Sequence, residues 1–330
     1  MLSISRACFY LSTIFSIISF QSVFSQGLPP GEIDAAIASM AQSIDTAYVF
    51  PEKGQKIAAY LRSEHKRGSF SNAKNWKDLA AAISKSLQQF SQDGHLYVRN
   101  DPQTVKELQS PPQDQPDSTP QKVAFNPFFD GKDVVERNFG FREVKVLEGN
   151  MGYIKISEIN ISVKSLPILF AAMRLVANSK ALIIDLRNNG GGGSNVGSVL
   201  ESFFLPAQTP LLDFKTRNGS SHMEKTVDWL LEPRYEKPLF ILVNQGTASA
   251  AEAFAFALQK HRRAKVVGRR SAGGAFMNSW YPVNEHLFIS VSTGAPTLPG
   301  TNQSWEGDGI QPDYPVAEGA ELTTVAGLLK

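Results

Sequence analysis

Two uninterrupted apolar runs constrain this chain most: ALIIDL at 181–186 and LFILV at 239–243. A strand with one face in water alternates apolar and polar residues, so a run without alternation reads as a strand covered on both faces. A glycine-bearing turn follows each run, and then a helical stretch. Val196, Leu200 and Phe203 mark the first helix, and AEAFAFALQK marks the second. YIKI at 153–156, Val266-Val267 and LFISVS at 287–292 are further strand-like segments. The second half of the chain therefore reads as α/β.

The first part has another character. Ile33, Ile37, Met40 and Ile44 recur at helical spacing, and Pro51 breaks the pattern. Ile57, Tyr60 and Leu61 predict a second helix ending near Gly68. Leu79, Ile83, Leu87 and Phe90 predict a third. These stripes are packing faces and carry no chemistry. Residues 101–122 are dominated by Pro, Gln and Asp and read as a mobile connection. At the start, Arg6 precedes an apolar stretch at 7–20, and Val23-Phe24-Ser25 reads as a cleavage site. An uncleaved anchor is the alternative. The expected organisation is a signal peptide at 1–25, a helical N-terminal domain at 26–100, a Pro/Gln-rich linker at 101–135 and an α/β core at 136–330. Export would place the mature protein outside the cell or in the periplasm, with no membrane span left after signal removal.

Composition excludes several classes. The sole cysteine, Cys8, lies in the leader, so the mature chain has neither a thiol nucleophile nor a disulfide. Lys+Arg is 33 and Asp+Glu is 31, a balance that gives no whole-chain attraction to nucleic acid. No two of the five histidines have metal-ligand spacing, so neither a metal nor another cofactor is expected.

Three short segments can carry chemistry. In VNQGTASAAE, Ser249 follows a buried strand and opens a helix. A hydroxyl there sits at the positive helix end, near N–H groups able to hold an oxyanion. Ser249-Ala250-Ala251-Glu252 equally fits a capping box, which needs no catalysis. In IIDLRNNGGGGSN, Gly190 to Gly193 let the backbone turn sharply and bare its N–H groups, which suits an oxyanion hole or a phosphate. The spacing is neither a P-loop nor a dinucleotide fingerprint. Asp185 and Arg187 read as braces of this loop. In DGHL, His95 is the general-base candidate through the company it keeps, since a lone histidine is more often structural.

DGHL, DLRNNGGGG and TASAAE, in this order along the chain, resemble the C-terminal processing (tail-specific) serine peptidases. The likeness covers about 30–100 and 150–315. It implies a crotonase/ClpP-like α/β core of strand-strand-helix units preceded by a small helical domain. Many members carry a PDZ domain between the two parts, and the interval here is too short for one. Many also pair the serine with a lysine, and Gly274 stands at that lysine's place. The chain instead resembles the PDZ-less branch of the tricorn core and retinoid-binding-protein-like members. That resemblance implies a serine peptidase acting on polypeptides, with Ser249 as nucleophile, His95 as general base and Glu306 as orienter. It also implies an oxyanion hole from the N–H groups of Gly191 and Ala250. Two departures stand out: Gly94 replaces a serine of the tricorn type, and Arg269 and Arg270 stand where an acidic residue is common. Lys265 is the rival base. Two non-catalytic readings use the same fold: a carrier of an apolar ligand of retinoid or fatty-acid type, and a pseudo-peptidase that binds peptides.

Overall fold

A computed structural model describes residues 27–109 and 127–330. The expected signal peptide at 1–25, with Cys8, and residues 110–126 of the Pro/Gln-rich stretch lie outside the described residues. The central sheet has six strands in the order Tyr314–Pro315, Lys265–Gly268, Leu239–Val243, Ala181–Asp185, Met151–Ile156 and Phe141–Leu147. The first five run parallel, and the last pairs antiparallel. Every residue of the two central strands is buried. Side chains alternate between the two faces of a strand. Leu182, Ile184, Ile241 and Val243 therefore enter the core beneath helices Leu166–Val176 and Ala250–Lys260. Ile183, Phe240 and Leu242 enter a smaller core closed by helix Glu321–Leu328.

The N-terminal helices Pro30–Ala47, Pro51–Lys66 and Trp76–Ser91 bury the expected stripes except at Tyr60, which is half-buried, and at Phe90. Phe90 is 46% exposed and stacks flat on Tyr60, their ring centroids 4.0 Å apart. The buried stripe runs through Leu87 to Ser91, so Phe90, one residue before Ser91, points off the packed face. The segment after DGHL forms strand Tyr97–Asn100. It pairs with Leu287–Thr297 in a second, antiparallel sheet that also holds Pro210–Thr216, Ser221–Lys225 and Met277–Pro282. Ile44, Leu61 and Ile83 share one core with Leu287, Ile289 and Val291 of this sheet. The helical segment is thus packed onto the rest of the fold.

Within the stretch read as a linker, Pro102–Gln109 is a helix. Asp101 caps it, accepting from Thr104 N–H at 3.1 Å, and Pro102 fills the first turn where no N–H is needed. Among the described residues, no helix is long and apolar enough to cross a membrane.

Candidate active site

The serine elbow forms where the central sheet ends. Beyond Val243, the side chain of Asn244 pins the turn: its Oδ1 accepts from Asn188 N–H (2.9 Å) and Gly246 N–H (3.0 Å). The buried Thr247 hydroxyl donates to Leu186 O (2.8 Å), and Ala248 N–H donates to Asn189 O (2.9 Å). These bonds fasten the turn to the glycine loop. Ser249 then adopts φ 52° and ψ −123°. A non-glycine residue enters this region at a cost of about 1–3 kcal/mol. Such an elbow lifts a serine side chain clear of the strand before the helix begins. Helix Ala250–Lys260 starts at the next residue. Ala250 N–H, at its positive end, has no hydrogen-bond partner among the described residues.

Gly191 lies against this elbow. Its φ is 104°, and a Cβ there would stand 2.6 Å from Ser249 Cβ and 3.1 Å from Ala250 N. Only glycine permits that approach. The Gly191 N–H is held by Asn189 Oδ1 at 2.9 Å, while Asn189 Nδ2 is anchored on Ile156 O. Arg187 braces the loop by bridging Asp185 and Glu321, and Tyr153 Oη donates to Asp185 at 2.6 Å.

His95 reaches the site from the N-terminal segment, its carbonyl accepting from Ser290 Oγ at 2.6 Å. The Cε1–Nδ1 edge of its ring faces Gly274. A Cβ on Gly274 would lie 3.0 Å from His95 Cε1 and 3.8 Å from Glu252 Oε2. Glu252 is wholly buried. Its carboxylate accepts from Ser249 N–H (2.9 Å), Gly273 N–H (2.7 Å), Gly274 N–H (2.9 Å) and Ser271 Oγ (2.5 Å). Elbow, imidazole and the 271–274 segment therefore meet around one carboxylate. Burial pulls the His95 imidazole below its ordinary pKa, and the Asp93 and Glu252 charges oppose that pull. Among the described residues, its buried Nδ1 has no hydrogen-bond partner.

Glu306 Oε2 accepts from Ala275 N–H (2.6 Å) and Phe276 N–H (3.3 Å), just beyond Gly274. Burial pushes its carboxyl up to about 7, and the Asp93 charge adds to the rise. Among the described residues, no hydrogen bond joins His95 to Ser249 or Glu306. Lys265 is 56% exposed and pairs with Asp313. It is level with Phe240, whereas Gly268 is level with Val243, the residue nearest the elbow. Three residues of strand, about 10 Å, separate those two levels. Arg269 pairs with Glu318, outside this cluster.

The model of Peptidase family S41 matches residues 150–316, half of the chain. The chain belongs to peptidase family S41. The model described as the N-terminal domain of Peptidase_S41 in eukaryotic IRBP matches residues 31–137. One S41 relative is the carboxy-terminal-processing protease of Bartonella bacilliformis, 30% identical over 179 residues, or 52% of this chain and 40% of that protein. The chain spans about two fifths of the length of the curated relatives it matches. Among solved structures, a putative peptidase from Parabacteroides merdae aligns with a TM-score of 0.57 at 19% identity, over 92% of this chain and 97% of that one. The tricorn protease aligns with a TM-score of 0.52 at 13% identity, over 89% of this chain and 35% of that one. At such identities the likeness is one of fold: a mixed α/β S41 fold behind a helical N-terminal region.

Sequence reading does not single out Ser271 or Asn189, and it presents Glu252 only as the end of a capping box. The position of Glu252 three residues after Ser249 is the only local signal of its contact with the elbow.

Proposed function

We propose that this S41 member is an exported serine peptidase that cleaves polypeptides through Ser249, on a crotonase/ClpP-like core. The strained Ser249 elbow is the observation that carries the reading: a turn anchored by the buried Asn244 and Thr247 holds an unfavourable φ while the adjacent Ala250 N–H stays unpaired among the described residues. Ser249 Oγ attacks the scissile carbonyl carbon while His95 takes its proton. The oxyanion forms beside Ala250 N–H, joined by Gly191 N–H when that group turns from Asn189. The C–N bond breaks, His95 returns the proton to the leaving amine, and water then releases the acyl group by the same route. Glu306 acts indirectly, holding the Ala275–Phe276 backbone that borders the imidazole. A fluorophosphonate probe tests this reading. Covalent labelling mapped to Ser249, and lost in Ser249→Ala together with peptide cleavage, supports it. An unlabelled folded chain that binds retinoid or fatty acid saturably would make it a carrier.

A further inference from the structure

The turn that delivers His95 carries a buried carboxylate of its own. Asp93 is 1% exposed. Its Oδ2 accepts from Tyr48 Oη (2.9 Å) and Ser292 Oγ (2.7 Å), and its Oδ1 accepts from His95 N–H (2.9 Å). Its own N–H donates to Ser91 Oγ at 3.2 Å. A carboxylate taken out of water is costly unless donors replace its hydration. Here three segments supply them: the connection after the first helix, the long strand Leu287–Thr297 and the histidine turn itself. Burial, and then the Asp93 charge, push the Tyr48 phenol far above its ordinary pKa, so it remains a donor.

In the usual hydrolase triad a carboxylate bonds the ring nitrogen opposite the nucleophile. Among the described residues His95 Nδ1 has no such partner, and Glu306 Oε2 is occupied by backbone N–H groups. The charged groups facing the imidazole are Asp93 from its own turn and Glu252 from helix Ala250–Lys260. Glu306 in turn feels Asp93 and Lys53, the latter from helix Pro51–Lys66.

We infer that Asp93 is the positioning residue of the general base. It fixes the backbone of His95 and sets its carboxylate beside the imidazolium that forms during attack. This rests on the reading of His95 as base. Asp93→Asn keeps the size and the acceptor for His95 N–H, and hydroxyl rotors at Tyr48 and Ser292 can accept from the new amide.

The readout is the second-order rate of Ser249 phosphonylation by a fluorophosphonate across pH. Asp93→Asn should slow labelling tenfold or more and move the acidic limb about one pH unit lower, because a lost negative charge disfavours the imidazolium. A slower rate with the limb unmoved would reduce Asp93 to a structural residue and overturn the inference. Should Asp93→Asn not fold, Ser292→Ala and Tyr48→Phe each strip one donor yet keep the charge. Each should slow labelling several-fold with the limb unmoved, and native rates in both would equally overturn it. His95→Ala separates the two layers of the argument. If it labels at the native rate, the histidine reading itself is wrong. If it is inert while Asp93→Asn keeps the native pH profile, only the Asp93 role is lost.

Discussion

Replacing Gly274 by alanine tests the geometry with one methyl group. The added carbon would stand 3.0 Å from His95 Cε1 and 3.6 Å from His95 Nδ1. Relaxed carbon–carbon contacts lie at about 3.5–4.0 Å, so the imidazole must move by about 0.5–1 Å. The backbone at Gly274 has an ordinary φ, so alanine fits the chain itself. Displacement of a catalytic group by about 1 Å can cost on the order of 100-fold in rate. The overpacking should cost about 1–3 kcal/mol at most, because His95 is only half-buried and its ring can yield. Gly274→Ala should therefore lose most peptidase turnover and most fluorophosphonate labelling while unfolding only a few degrees lower. The assay pairs labelling rate with thermal melts of the same preparation. Native labelling in Gly274→Ala would show that the imidazole is not confined by this contact, and the proposed placement of the base would fall. A lysine at 274 sends its side chain through the same space, so a lysine there and the observed imidazole exclude one another.

Other outcomes follow from the same geometry. Because burial pulls His95 down, the acidic limb of kcat/KM should fall below the ordinary histidine value of about 6.5, activity being lost as imidazole protonates; a limb near 9 would point to a lysine base. Gly191→Ala should abolish labelling and destabilise by about 1–3 kcal/mol, since it combines φ 104° with a Cβ 2.6 Å from Ser249 Cβ; native Tm and rate would contradict the close approach. Glu306 has a pKa of about 7 in the fold and about 4.3 unfolded, so the stability it confers is complete below pH 4 and is lost as pH rises through 7; Glu306→Gln should then gain Tm over the native chain at pH 8 but not at pH 4, and equal differences at both would refute its burial as a charge. Glu201, raised to about 8 by burial and by Glu224, should behave alike: Glu201→Gln should gain stability at alkaline pH with labelling unchanged, and a melting curve shifted equally at all pH values would argue otherwise.

The sequence declared its sheet and its elbow because both depend on neighbours in the chain. ALIIDL and LFILV are apolar at consecutive positions, and only a strand buried on both faces requires that. TASAAE follows such a strand, so its serine must fall at a strand-to-helix turn. The histidine was legible only as company, because its contacts with Gly274 and with Ser290 Oγ link segments far apart in sequence. Glu252 shows the limit most clearly. Its bond to Ser249 N–H is local and has the pattern of a helix cap, while its bonds to Ser271, Gly273 and Gly274 come from a segment about twenty residues on. A cap needs one such acceptor at a helix end and stays half in water. A carboxylate that is wholly buried and saturated by four donors is instead a constraint on everything that supplies them. That difference lies in burial, and no spacing of residues encodes it. Glu306 shows the converse: its position invites a bond to the imidazole, yet two consecutive N–H groups, from Ala275 and Phe276, reach its Oε2 instead. Folding thereby places three carboxylates, Asp93, Glu252 and Glu306, around the histidine turn and the Gly274 segment, each satisfied mainly by backbone or hydroxyl donors. Of these, Asp93 and Glu252 bring their charge to the imidazole, which has no hydrogen-bonded partner on Nδ1 among the described residues, and fixed donors, rather than a triad bond, hold those two charges beside the ring.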